Sequence, residues 1–190
     1  QDDQADAWPQ LGRRWGTNLP VQNACEVALQ HGLQCFRSSD LTPNGLRRLD
    51  RPGLILLREG GVERWVQVLA LQQDRITLAS SGQRWTLPLS ELPRYWQGDY
   101  ATLWRLPPGQ TTRIYAAGAS EPAGQWLQLQ LKKLQSQGQL PATDDTLRAR
   151  VAAFQQRQGL HGDGKALPST FLLVNRLTGV DEPRLSTAAR

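Results

Sequence analysis

Residues 151–164 read Val-Ala-Ala-Phe-Gln-Gln-Arg-Gln-Gly-Leu-His-Gly-Asp-Gly, which predicts the end of a helix followed by a tight turn. Phe154 completes an apolar stripe with Leu147 and Val151, at the spacing of one helix face. Asp163-Gly164 suits a turn, because glycine accepts a positive φ and aspartate hydrogen-bonds its own backbone. The pattern places Phe154 in a helical core, with the residue after it exposed.

Two more helices are predicted around this stretch. An earlier stripe, made of Leu127, Leu131 and Leu134, has the same spacing. A later apolar segment runs from 171 to 177, and Asp144 and Asp145 suit the start of the middle helix. The predicted C-terminal stops are glycines, at Gly138, Gly159 and Gly179. Three helices with short connections predict a small bundle.

The first half has the pattern of strands. Apolar runs at 54–57 and 65–71 are joined by Glu59-Gly60-Gly61, which favours a hairpin. Further strands are predicted at 75–79, 84–87 and 100–106, with a helical turn at 90–96. One or two helices followed by about five antiparallel strands make an α+β arrangement.

The predicted domain boundaries follow from these patterns. Residues 8–106 form the first domain, and the stiff Pro107-Pro108-Gly109 stretch opens a linker over 107–119. The helical domain covers 120–179. Residues 180–190 show no periodicity and are predicted to be a loose tail.

Composition excludes several functional classes. The net charge is +5, but the 22 basic residues occur singly or in pairs, whereas nucleic-acid binders concentrate them in a stripe. No apolar run approaches the roughly 18 residues of a membrane span. The only histidines, His31 and His161, show no metal-ligand spacing with the cysteines, so neither a metal nor a cofactor is predicted. The residues alone do not decide whether the chain forms a homo-oligomer.

Cys25 and Cys35 allow two interpretations. Asn23 suits a helix N-cap, with Glu26 as its capping-box partner and Gly32 as the stop, so Cys25 falls in a first helical turn. A helix N-terminus lowers a thiol pKa, as a cysteine nucleophile requires. The other interpretation is a disulfide between the two cysteines, which needs an oxidising compartment.

The helical half resembles peptidoglycan-binding modules, which carry Phe-Gln, Gly-Leu, Asp-Gly and Thr at similar spacings over residues 122–179. The family's ligand groove lies along this turn and the adjoining helices, and amides and arginines suit its carboxylate and amide groups. The resemblance implies these groove candidates: Arg148, Gln155, Arg157, Asp163, Gly164 and Thr170. Lys165-Ala166-Leu167 departs from the family pattern in the same turn.

The first half is similar to the bacteriocin-processing cysteine peptidases of the C39 type, which have a papain-like fold. Cys25 matches the nucleophile, but Arg64 stands at the histidine position and Ala79 at the aspartate position. Arginine cannot accept the thiol proton, and His31 follows Cys25 on the wrong side of the turn. We therefore expect no catalytic residues and a disulfide between Cys25 and Cys35.

Taken together, the chain resembles the periplasmic region of the general-secretion-pathway A family of type II secretion, also called the ExeA type. That resemblance implies a periplasmic location, an ATPase module and a transmembrane helix upstream, and a B-type protein and the secretin as partners. It implies peptidoglycan binding and a role in secretin assembly or insertion through the cell wall. Two alternatives stay open: an active cysteine peptidase or amidase, and a protein-interaction module that has lost glycan binding.

Overall fold

The computed structural model describes residues 2–186, with side chains from residue 7 onward. It divides into two compact units, one formed by residues up to Trp104 together with the segment from Asp181, the other by Arg105–Val180. The elements of the first unit, in chain order, are α1 (Asp2–Arg14), α2 (Ala24–Gln30), β1 (Leu33–Ser38), α3 (Pro43–Leu49), β2 (Gly53–Glu59), β3 (Val62–Gln72), β4 (Arg75–Ser80), β5 (Gln83–Pro88), a 3-10 helix (Leu89–Arg94) and β6 (Trp96–Arg105). The second unit contains α4 (Pro122–Ser136), α5 (Leu147–Arg157) and α6 (Pro168–Thr178).

The six strands form one sheet in the order β1-β6-β2-β3-β4-β5. The predicted hairpin is confirmed, because β2 and β3 pair antiparallel around Gly60 and Gly61. The pairings β2–β6, β3–β4 and β4–β5 are also antiparallel. The predicted α+β class is confirmed, although β1, α1 and α3 were not expected and bring the described first unit to three α-helices and six strands.

Helix α1 forms because one of its faces is apolar. Trp8 and Leu11 lie three residues apart on that face and are almost fully buried. They pack into a core with Ala24 and Ala28 of α2 and with Leu54 of β2. The first core therefore lies between these helices and one face of the sheet.

Helix α2 begins and ends where the sequence predicts, but its cap differs. Asn23 has a left-handed backbone, φ 58°, and its side chain makes no capping hydrogen bond. The capping box predicted with Glu26 is therefore wrong, since an N-cap side chain reaches the helix from an extended backbone. Gly32, φ 69°, follows the helix as expected.

The predicted loose tail is wrong for residues 181–186. The Glu182 side chain is 5% exposed and forms an ion pair with the buried Arg51, while Leu185 is 1% exposed. The backbone and hydroxyl of Ser186 bond Asp50. This segment packs on the first unit through polar contacts and one apolar residue. A search for a repeating apolar pattern does not detect contacts of this kind.

The helical unit has the expected core. The predicted stripes on α4 and α5 are buried, with no side chain of Leu127, Leu131, Leu134, Leu147, Val151 or Phe154 more than 5% exposed. The middle helix is capped by Thr146, whose hydroxyl accepts a hydrogen bond from the Ala149 N–H, and not by Asp144 or Asp145. The residues predicted as a linker also belong to this unit, because Ile114 is buried and the Ala117 N–H bonds the Ala166 carbonyl.

Candidate functional site

The position expected for a nucleophile is held in a disulfide. Cys25, in the first turn of α2, is bonded to Cys35 of β1, with their Cα atoms 5.6 Å apart. The chain has no other cysteine, so neither sulfur is a free thiol. The predicted disulfide is confirmed, and no thiolate is available while it is intact.

The two other positions inferred from the peptidase pattern lie on opposite faces of the sheet. Side chains alternate along a strand, and directly paired residues share a face. Ala79 pairs with Gln67, which shares its face with Trp65, whereas Arg64 pairs with Leu57 on the other face.

Trp65 packs against the core that Cys25 also contacts, so Arg64 points away from the cysteine. The expectation that Arg64 occupies the base position beside Cys25 is therefore wrong, since Trp65 faces that side. The one histidine of this unit, His31, is exposed at the end of α2. Within residues 2–186, no cluster of histidine, cysteine or acidic side chains could hold a metal ion.

In the helical unit, Gln155 organises the turn that follows α5. Its amide nitrogen donates to the Asp163 carboxylate and to the Lys165 carbonyl, both at 3.1 Å. Its amide oxygen accepts the Gly164 N–H at 2.9 Å. Gln155 is only 6% exposed, so the prediction of an exposed groove residue is wrong. The apolar stripe did not reveal the burial of Gln155, because that burial depends on hydrogen bonds from its amide to the turn and not on apolar character.

The turn lies against Arg148. Gly164 has φ 74°, and a Cβ placed on it would stand 2.5 Å from the Arg148 Cγ. The Arg148 side chain is exposed, and Asp163 and Gly164 are half-buried. These three groove candidates are brought together at one surface.

Two other candidates are not part of that surface. Arg157 follows Arg148 by nine residues, which is two and a half turns, so it lies on the opposite side of α5. Thr170 is 1% exposed, and its hydroxyl has no hydrogen-bond partner among the described residues.

The charge of this surface is fixed by the turn. The Lys165 N–H donates to the Asp163 carboxylate at 2.9 Å and lowers the pKa of that carboxyl below its ordinary value, with the Gln155 amide adding to the effect. Lys165 is exposed beside it, whereas Ala166 is buried. The arrangement offers a carboxylate held by the turn together with the exposed side chains of Arg148 and Lys165, which suits ligands that carry both carboxylates and amines or amides.

Two clefts beside the edge strand β5 were not anticipated. One lies on the face of Trp85 and Leu87, the other on the face of Arg84. The only signal in the sequence is the alternation of charged or polar with apolar residues over 84–87. Alternation indicates a strand but not that its outer edge is free.

The first unit is similar to a known protein family. The family described as "GspA, peptidase C39-like domain" matches residues 1–106, more than half of the chain. The chain belongs to the GspA C39-like family. The match describes the first unit as peptidase C39-like, and in the structure Cys25 of that unit is bonded to Cys35.

Two relatives of this GspA family member extend over both units. The chain is 31% identical over 185 residues to general secretion pathway protein A of Aeromonas hydrophila, covering 94% of this chain and 33% of that protein. It therefore spans about a third of the length of that relative. It is also similar to a crystal structure of a periplasmic domain of the EpsAB fusion protein of the Vibrio vulnificus type II secretion system. That match has a TM-score of 0.53 and 25% identity and covers 98% of this chain and 81% of the other.

The expected kinship with the periplasmic region of the general-secretion-pathway A proteins is thus confirmed, and the chain is a periplasmic segment. None of the helices among residues 2–186 has the length and hydropathy needed to cross a bilayer. The periplasm is an oxidising compartment, which agrees with the disulfide.

Proposed function

We propose that this chain is the periplasmic module of a type II secretion accessory protein that holds peptidoglycan and scaffolds secretin assembly or insertion through the cell wall. Residues 120–179 bind the wall, and residues 8–106 are a platform for protein partners that catalyses no reaction. The B-type secretion protein and the secretin are the proposed partners. The titles of the two relatives, which name general secretion and a type II secretion system, support this role.

Wall binding rests on one observation, the turn that Gln155 holds against α5. A buried amide makes three hydrogen bonds to residues 163–165, which fixes the half-buried Asp163 beside the exposed Arg148. Peptidoglycan stems present carboxylates, amides and amines on a flexible polymer. A carboxylate that the turn already holds in place can bind their amines and amides without a further loss of its own conformational entropy, and the exposed Arg148 guanidinium can bind their carboxylates.

The absence of catalysis rests on the chemistry around Cys25. A thiol peptidase needs a thiolate, a base within hydrogen-bond reach and a group that orients the base. Cys25 is bonded to Cys35, and the side chain of β3 that faces the same core is Trp65. An indole cannot act as a base, so breaking the disulfide would free a thiol without activating it.

Sedimentation with purified peptidoglycan sacculi tests wall binding. We expect the full chain to pellet with sacculi, and Arg148→Ala to weaken its affinity by about tenfold, the equivalent of one charge-assisted hydrogen bond. Arg157→Ala is the matched control, because it removes the same charge from the opposite side of α5. Equal losses in both variants would mean non-specific attraction to an anionic polymer, and would contradict the proposed groove.

The two alternative functions give different results in the same preparations. A protein-interaction module without glycan binding leaves the full chain in the supernatant even at low salt. An active peptidase hydrolyses a peptide substrate after mild reduction, and Cys25→Ala abolishes that hydrolysis. We expect pelleting with sacculi and no hydrolysis in either redox state.

A further inference from the structure

Strand β5 has a free hydrogen-bonding edge. It is the last strand of the described sheet and pairs on one side only, with β4. The hairpin turn that joins β4 and β5 has two residues with positive φ, Ser81 at 49° and Gly82 at 78°, as in a type I′ turn. In such a hairpin the flanking residues Ser80 and Gln83 exchange hydrogen bonds, and bonded and non-bonded pairs then alternate. The N–H and C=O groups of Arg84 and Thr86 therefore point outward.

One face of this edge carries exposed apolar side chains. Trp85 and Leu87 line a cleft of about 530 Å³, the apolar cleft, together with Val62, Val66 and Leu78. Its lining also includes the charged residues Glu59, Arg64 and Glu91. The side chain of Trp85 is 36% exposed and that of Val62 59% exposed, so apolar surface is open to solvent here. This volume lies within the range of about 300–1,000 Å³ that ligand-binding clefts have.

The opposite face of the same edge is cationic. Arg13 and Arg14 at the end of α1 and Arg84 of β5 line a second cleft of about 450 Å³. None of the described residues that line it carries a carboxylate. Three guanidinium groups without a counter-charge in the cleft attract anionic groups, and carboxylates most directly, since a guanidinium can bind one through two hydrogen bonds.

We propose that β5 binds an extended partner peptide as an added strand, with apolar side chains alternating with acidic ones. A strand added to β5 would place every second side chain over the apolar cleft and the others over the arginines, because side chains alternate between sheet faces. The main chain would bond Arg84 and Thr86 and supply affinity, and the two clefts would supply specificity.

Charge excludes a second copy of this chain as the favoured occupant. Pairing β5 with its own copy would bring two sets of three arginines, Arg13, Arg14 and Arg84, to one face of a joint sheet. Like charges on facing positions of paired strands repel one another and oppose association. An acidic partner strand avoids this repulsion and can hydrogen-bond the outward N–H and C=O groups of Arg84 and Thr86.

The inference deepens the partner-platform part of the proposed function and is independent of wall binding by the helical unit. The probe is a fluorescein-labelled octapeptide of alternating valine and glutamate, and fluorescence anisotropy with the full chain measures its binding. The comparison peptide alternates valine and lysine. We expect binding of the glutamate peptide that weakens as salt is raised, and no binding of the lysine peptide.

Thr86→Pro removes one outward N–H at a position where the paired strand does not need it. Thr86→Val is the matched control, because both variants lose the hydroxyl contact with Thr77 but valine keeps the N–H. We expect Thr86→Pro to lower the affinity for the glutamate peptide by about tenfold, and Thr86→Val to change that affinity by no more than about twofold. Sedimentation of Thr86→Pro with sacculi should be unchanged, which separates this inference from wall binding.

Hydrogen exchange in the unmodified chain gives a result that does not depend on a variant folding. The bound peptide should slow exchange of the Arg84 and Thr86 amides, while amides of α5 keep their rates. Unchanged exchange at both amides would overturn the proposal, as would equal binding of the two peptides or equal affinity of the proline and valine variants.

Discussion

Replacing Glu182 by alanine should destabilise the first unit far more than its place near the end of the chain suggests. The carboxylate binds Arg51 through two hydrogen bonds of 3.0 Å. Arg51 also donates to the Leu49 and Leu103 carbonyls and lies 5.9 Å from the centre of the Trp15 ring. Glu182 thus connects the returning segment to a buried cation of the first unit.

Burial determines the magnitude. The side chains of Arg51 and Glu182 are 2% and 5% exposed, so water cannot replace the carboxylate without opening the structure. Removing one partner of a buried pair leaves the other charge desolvated, which costs about 3–5 kcal/mol. Changing both at once, Arg51→Met with Glu182→Leu, should cost less than Glu182→Ala alone, because no charge is left behind.

Urea unfolding followed by tryptophan fluorescence measures the loss of stability in the first unit, since six of the seven tryptophans lie in that unit and only Trp126 lies in the second. Arg184→Ala is the control. Its guanidinium lies 3.6 Å from the buried Asp50 but is itself 40% exposed, and Asp50 keeps its two hydrogen bonds from Ser186 without it, so its loss should cost about 1 kcal/mol. A Glu182→Ala loss no larger than that of the control would refute the reasoning.

Three more results are expected. Burial raises the pKa of Tyr100 to about 12. The free energy of unfolding should therefore be independent of this group below a pH of about 10 and should fall by about 1.4 kcal/mol per pH unit between that pH and the folded-state pKa. Urea unfolding of Tyr100→Phe should lack this fall, and an equal fall would contradict the assignment. The denatured, unreduced chain should show no free thiol, and reducing the Cys25–Cys35 bond should lower stability by about 2–3 kcal/mol; a thiol titration above zero would disprove the pairing in solution. Gln155→Ala should cost about 1–3 kcal/mol by leaving the turn around Asp163 unsatisfied, measured by urea unfolding at Trp126, whereas a cost near zero would mean that the turn holds itself.

The helical unit was predicted well because apolar burial repeats along it. The stripes of α4 and α5 follow the helical period, so Leu127, Leu131 and Phe154 reach the core as expected. The turn after α5 was also located, but Gln155 was misplaced. A periodicity argument assigns apolar residues to the core and polar residues to the surface. It therefore misses a polar side chain such as Gln155, whose burial is made possible by three hydrogen bonds to the turn.

The candidate peptidase site could be predicted only in part. The disulfide followed from the lack of a base, which is a property of residue types. The position of Arg64 did not, because a shift of one residue in matching a strand moves a side chain to the other face. Trp65, which packs against the core that Cys25 also contacts, comes one residue after the position predicted for the base.

The first unit is interrupted by the helical unit, and that changes how the chain can be dissected. Its polypeptide leaves after Trp104 and returns at Asp181. Arg51 bonds both the Leu103 carbonyl and the Glu182 carboxylate, so the points of departure and return are close within the first unit. A truncation anywhere in the helical unit also removes Glu182 and exposes a buried cation. Loss of partner binding in such a truncation would report damage to the first unit, so the roles of the two units are separable only by substitution or by excision that keeps the tail.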